Sequence, residues 1–176
     1  MKKLLTTLLF LVLGVFGFAE KFEKPIMLTS IGQSADVQMI KVLLKKADLE
    51  ADFDKLVTEK TLGNHKTLIL AIGGSSKGLG AAGIKVEDEL DRSEKLIKAA
   101  REKGVKIVGM HVGGQARRGE LSDKFVNVSI SGCDYLIVVE DGNKDGIFTK
   151  VAEEKKIPLV LVPKISEAVK PLKDIF

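Results

Sequence analysis

The chain has 176 residues, 45% of them hydrophobic and 30% charged, and 28 Lys+Arg against 24 Asp+Glu give a formal net charge of +4. That length suits one ordinary globular domain and excludes a multidomain assembly. A composition with 4 prolines and no low-complexity tract excludes a disordered chain. Acids interleaved with bases, as in Glu87-Asp88-Glu89 and Glu153-Glu154-Lys155-Lys156, exclude a nucleic-acid-binding stripe.

The amino terminus reads as a secretory signal peptide. Lys2 and Lys3 precede an apolar run from Leu4 to Phe18, small residues Gly17 and Ala19 close it, and Glu20-Lys21-Phe22-Glu23-Lys24 turns polar. The run is shorter than the roughly 20 residues of a spanning helix. Cleavage after Ala19 removes residues 1–19 and leaves a single α/β domain at 20–176, with 26 basic and 24 acidic side chains. The expected protein is therefore secreted or periplasmic and makes no membrane contact once the leader is gone. Its oligomeric state is not encoded in any pattern.

From there short continuous apolar runs alternate with amphipathic ones. Ile26–Ile31, Thr67–Ile72, Val105–Val112, Asp134–Val139 and Ile157–Val162 read as strands covered on both faces, with a weaker strand near Ala51–Val57. Asp36–Ala47, Val86–Lys103, Ser122–Val128, Ile147–Lys155 and Ser166–Ile175 read as helices. Helical spacing of Leu90, Ile97 and Ala100, and the stop at Gly104, define the longest. Glu87, Asp88, Glu89 and Asp91 sit in its first turns, where acids complement the helix dipole. Alternating strands and helices predict a three-layer, doubly wound and mainly parallel sheet, Rossmann-like or flavodoxin-like. The flavodoxin-like order leaves a crevice between the carboxyl ends of the first and third strands.

Polar and glycine-rich segments follow those strand ends. Gln33 and Ser34 follow the first, and an eleven-residue loop from Gly73 to Gly83 follows the third. Main-chain N–H groups around Gly74 and Gly78, the Ser75 and Ser76 hydroxyls and the Lys77 ammonium suit an anion. His111, Gly114, Arg117 and Arg118 follow the fourth strand, where an arginine can grip a carboxylate through two parallel hydrogen bonds. Together they predict a site for a small anionic or zwitterionic ligand. Gly78-Leu79-Gly80-Ala81-Ala82-Gly83 fits a dinucleotide fingerprint, but no acid ends the next strand. Gly74-Ser75-Ser76-Lys77-Gly78 fits a nucleophile elbow, but His111 comes one strand too early. No cofactor is implied. An exported hydrolase or transferase using His111 and a loop serine is the second reading, and a protein-interaction module the third.

After the fifth strand, Asp141, Asn143 and Asp145 alternate as in a calcium loop and Gly146 stands at its glycine position. The twelfth position is Ala152 in place of a bidentate glutamate. Ca2+ at those three side chains is the one metal expectation. Cys133, the single cysteine, precludes an intrachain disulfide and reads as a buried structural thiol.

The segments Thr29-Ser30-Ile31-Gly32-Gln33-Ser34, Gly73 to Gly80, Gly113-Gly114-Gln115-Ala116-Arg117-Arg118-Gly119 and Glu140 to Gly146 carry a resemblance. With them the chain resembles an uncharacterised family of small secreted bacterial proteins, the domain of unknown function 6305. The resemblance implies export and a bacterial origin, and supplies no catalytic residue.

Overall fold

The computed structural model describes residues 21–176, so the signal-peptide reading of residues 1–19 lies outside the described residues. Among the described residues no helix is long and apolar enough to cross a membrane. Six strands form one parallel sheet: β1 (Ile26–Ile31), β2 (Asp52–Phe53), β3 (Thr67–Ile72), β4 (Lys106–His111), β5 (Tyr135–Val139) and β6 (Leu159–Val162). Their order is β2-β1-β3-β4-β5-β6, the flavodoxin-like order with a sixth strand added at one edge. Every residue of β1 and β3 is buried, which is why both run apolar without alternation.

Helices α1 (Asp36–Lys46), α2 (Ser76–Ala82), α3 (Val86–Glu102), α4 (Glu120–Ser129), α5 (Ile147–Lys155) and α6 (Val169–Ile175) cover the two faces. Val37, Ile40 and Leu44 of α1 pack with Leu172 and Ile175 of α6 on one side. Leu79 of α2, Leu96 and Ile97 of α3, Phe125 of α4 and Phe148 of α5 pack on the other. Matched registers bring the strand ends level: Ile31 lies opposite Ile72, His111 opposite Val138 and Val139 opposite Val162. All the segments after the strands therefore meet at one edge.

Three elements differ from the sequence reading. The expected eleven-residue glycine-rich loop holds α2, because Ser75 caps it by accepting a hydrogen bond from Gly78 N (3.0 Å) and Gly83 ends it with φ +67°. Glycine lowers helix propensity, so composition concealed a helix whose two caps were present in the sequence. The last helix starts at Val169 behind a 3-10 turn at Ile165–Ala168, which puts Pro171 in the first turn, where it costs no hydrogen bond. The weak second strand is only two residues long.

The sharpest departure concerns Glu89, which is fully buried. Its Oε1 accepts from Gly32 N (2.9 Å), Gln33 Nε2 (2.9 Å) and Arg92 Nη2 (2.7 Å), and its Oε2 accepts from Arg92 Nε (2.7 Å). Arg92 also donates to Ser30 O and Val57 O, both at 2.6 Å. One ion pair thus joins α3, the end of β1 and the segment leading to β3. Gln33 adds a bond to Lys55 O (3.2 Å), and its main chain bridges to Gly74. Gly78 closes the arrangement: a Cβ there would lie 1.9 Å from Gln33 O, so α2 docks only with glycine at that position.

Removing one member of such a pair strands a buried charge. Glu89→Ala and Arg92→Ala should each lower unfolding free energy by about 3–5 kcal/mol, and the double variant should lose less than the sum of the two. Urea denaturation checks this; additive losses would show that the two side chains act separately.

Candidate functional site at the carboxyl edge of the sheet

At the end of β1, Gly32 (φ +91°) and Gln33 (φ +58°) turn the chain sharply. A side chain at Gly32 would strike Gly73 O and the Phe125 ring, each at 2.7 Å. Gln33 and Ser34 are both buried. The Gln33 amide is committed to Glu89, and Ser34 Oγ accepts from Asp36 N (3.2 Å). The crevice between β1 and β3 is accordingly filled by the protein's own Gln33 and the start of α2.

At the end of β3, Gly74 N donates to Ser122 Oγ (3.0 Å), which donates back to Gly74 O (3.3 Å). Ser122 had no signal in the sequence beyond its place in a helix. Ser75 and Gly78 N satisfy each other, while Ser76 and Lys77 stand exposed on the first turn of α2. Of the expected anion donors in this segment, those two remain open to solvent.

His111 is completely buried. Nδ1 lies 3.0 Å from Ile72 O, Nε2 lies 3.3 Å from Gly114 O, and the ring packs 5.2 Å from the Phe148 ring. A Cβ on Gly142 would meet the imidazole at 2.7 Å. Burial holds its pKa below the usual histidine value, opposed by the two main-chain carbonyls. Both nitrogens thus face main-chain carbonyls, and neither pairs with a serine hydroxyl.

The adjacent arginines have opposite roles. Arg118, with only 6% of its side chain exposed, donates to Asp123 Oδ1 (2.7 Å), Gly142 O (2.5 Å) and both oxygens of Asp145 (3.0 and 2.6 Å). It holds the Asp145 carboxyl below the usual carboxylate range. Asn143 Oδ1 accepts from Phe148 N (3.0 Å), its Nδ2 donates to Thr149 Oγ1 (2.7 Å), and Asp141 lies against Gly114, where a Cβ would be 2.1 Å from Oδ1. Asn143 and Asp145 of the expected calcium loop therefore have separate engagements. The Arg118 guanidinium supplies a positive charge at Asp145. Among the described residues no three His, Cys, Asp or Glu side chains group as a metal site.

Arg117 remains partly exposed and reaches Asp36 Oδ1 through Nε (3.3 Å). Asp36, at the start of α1, is 9% exposed, and its Oδ2 is buried without a hydrogen-bond partner among the described residues. Gly73 and Gly113 flank that oxygen; a Cβ on them would lie 3.8 and 2.3 Å from it. The sequence placed Asp36 at a helix start and gave no sign that its carboxylate turns in toward the fourth-strand loop.

Fold and site together define a flavodoxin-like α/β domain with a polar, glycine-lined carboxyl edge. The chain belongs to the family described as Domain of unknown function (DUF6305), whose model matches residues 23–176. No curated protein sequence matches it. Among solved structures it is similar to the psychrotrophic esterase EstA from Pseudoalteromonas sp., at 12% identity and a TM-score of 0.34 over 85% of this chain and 92% of that one. It is also similar to a GDSL-like lipase from Bacteroides thetaiotaomicron, at 11% identity and a TM-score of 0.35 over 77% of this chain and 66% of that one. The fold class rests on the sheet order itself.

Two outcomes follow. Because the folded state resists protonating His111 more than the unfolded chain does, the unfolded chain binds more protons below the ordinary histidine value of about 6.5, and unfolding free energy should fall as pH drops below it. An NMR titration of the imidazole should show His111 still neutral at that pH; protonation at or above it would contradict the burial argument. Calcium and chelator should leave the melting temperature unchanged, and a calcium-dependent rise would mean that the ion displaces Arg118.

Proposed function

We propose that this protein is an exported small-ligand-binding protein that takes a zwitterionic molecule at the carboxyl edge, its ammonium group on Asp36 and its carboxylate on Arg117. The observation that carries the reading is the unpartnered Oδ2 of Asp36 beside an arginine that spends only its Nε internally. A buried acceptor left unsatisfied costs about 1–3 kcal/mol, and an incoming N–H donor removes that cost. The two Nη groups of Arg117 match a carboxylate in bidentate geometry. Only glycine fits at 113, where a Cβ would lie 2.3 Å from Oδ2 and 2.0 Å from Arg117 Cγ. Exposed Ser76, Lys77 and Asp141 stand on segments of the same edge. With Asp36 and Asp141 both there, a dianionic phosphate is repelled and a ligand carrying both charges is favoured. The leader pattern at Lys2 to Ala19 supports export.

The test is a thermal-shift panel of the common L-amino acids, the same molecules lacking the amine, and the same lacking the carboxyl. A zwitterion at about 100 times its dissociation constant should add roughly 2.7 kcal/mol. Arg117→Ala and Asp36→Asn should each weaken its binding about 10- to 100-fold, the worth of a charge-assisted hydrogen bond. A panel with no shift, or variants that bind as the parent does, would overturn the reading.

A further inference from the structure

The amino edge of the sheet, opposite the polar edge described above, carries a cavity of about 550 Å³, a size typical of small-molecule sites. It opens where β5 and β6 begin, between the ends of α3, α5 and α6. Phe22 forms one wall, its N donating to Ile175 O (2.8 Å) and its ring packing 6.0 Å from the Tyr135 ring. Phe22, Cys133, Ile157 and Ile175, all buried, make the floor apolar.

The charges at its mouth are unbalanced. Both of its acids are engaged: Asp134 Oδ2 accepts from Ile107 N (2.8 Å) while Oδ1 lies 3.6 Å from Lys106 Nζ, and Asp174 Oδ2 accepts from Lys170 Nζ (2.7 Å). Its cations are not. Arg101, Lys155 and Lys156 line the same mouth, and none of the three pairs with a carboxylate among the described residues. Arg101 makes one hydrogen bond, from Nη1 to Gly132 O (3.0 Å), which leaves Nε and Nη2 unspent. Gly132 keeps that anchor in place, because a Cβ there would lie 2.5 Å from Ile97 Cγ2 and would push the turn before β5 away from α3.

We infer that this cavity binds a carboxylate with an apolar tail, the tail lying on Phe22 and Ile157 and the head meeting Nε and Nη2 of Arg101. An apolar floor alone accepts any oily molecule. Three cations without carboxylate partners at the mouth select an anion, and the free edge of a guanidinium matches a carboxylate through two parallel hydrogen bonds. Cations in a last helical turn also complement the helix dipole, as Arg101 does on α3 and Lys155 on α5. That role requires no apolar cavity between the two helix ends. The site is separate from the one proposed for a zwitterion, since Asp36 and Arg117 follow strand ends at the opposite edge.

Equilibrium dialysis of the purified protein with decanoate tests the proposal. Decanoate should bind at one saturable site and change the emission of Tyr135 along the same curve, because that ring lines the cavity and is the only tyrosine in a chain without tryptophan. Acetate, which lacks the tail, and decyltrimethylammonium, which reverses the charge, should not bind. Arg101→Gln, at an exposed side chain, should weaken decanoate binding about 10-fold, the low end for a charge-assisted hydrogen bond, with an unchanged circular dichroism spectrum. Arg117→Ala, at the other edge, should bind decanoate as the parent does. Failure of decanoate to bind, binding that leaves Tyr135 emission unchanged, equal binding of either control, an Arg101→Gln variant that binds as the parent does, or a loss on Arg117→Ala would each overturn the proposal.

Discussion

The buried pair of Glu89 and Arg92 is the constraint on which the rest of this domain depends. A carboxylate without solvent must have its lone pairs met by donors, and Glu89 has four: two from Arg92, one from Gly32 and one from Gln33. Arg92 passes the constraint on to Ser30 and Val57. Helix α3, the end of β1 and the connection into β3 are thus fixed relative to one another by one short side-chain network. Its cost is the crevice itself. A doubly wound sheet leaves room between β1 and β3, and here that room holds the Gln33 side chain, with α2 pressed against Gln33 O at Gly78. The polar groups left open are displaced toward the β3 and β4 side of the edge.

On that side a second network forms the floor. The segment after β4 and the segment after β5 interlock through glycines: Gly114 against the Asp141 carboxylate, and Gly142 against the His111 ring. Arg118 ties the same two segments together by binding Asp123, Gly142 and Asp145. The short strand-to-helix turns of the fold are held by specific charge and ring contacts, and the domain needs no disulfide to keep them in place. Arg117, one residue earlier, is left at the surface of this rigid floor.

What was legible in the sequence follows from which interactions are local. The bounds of β1 and β3 could be read to the residue, because burial on both faces forces an unbroken apolar run. Alternation and crossover handedness limited the sheet to doubly wound forms and left its order Rossmann-like or flavodoxin-like. Helix α2 escaped because its glycines speak against a helix while its caps, Ser75 and Gly83, speak for one, and packing of Leu79 decides between them. Glu89 and Asp145 escaped for a different reason. Acids in a first helical turn and alternate acids after a strand have familiar local meanings, and the partners that change them, Gln33 and Arg118, lie 56 and 27 residues away in the chain. Local spacing carries no trace of such a partner.

The carboxylates of this edge differ in how far the fold satisfies them. Glu89 is saturated with donors and Asp145 is chelated by one guanidinium, so each is explained by the fold it stabilises. Asp36 is not. One of its oxygens has a single long contact to Arg117 and the other has none, although the residue is buried almost as fully. A fold that supplies four donors to Glu89 has the means to satisfy an acid when stability is all that is required, whereas the unsatisfied oxygen of Asp36 packs closely against Gly113. In the proposed function, the half-paired acid takes the ligand's cation and the unspent donors of Arg117 take its anion, and that assignment sets the polarity with which the ligand lies.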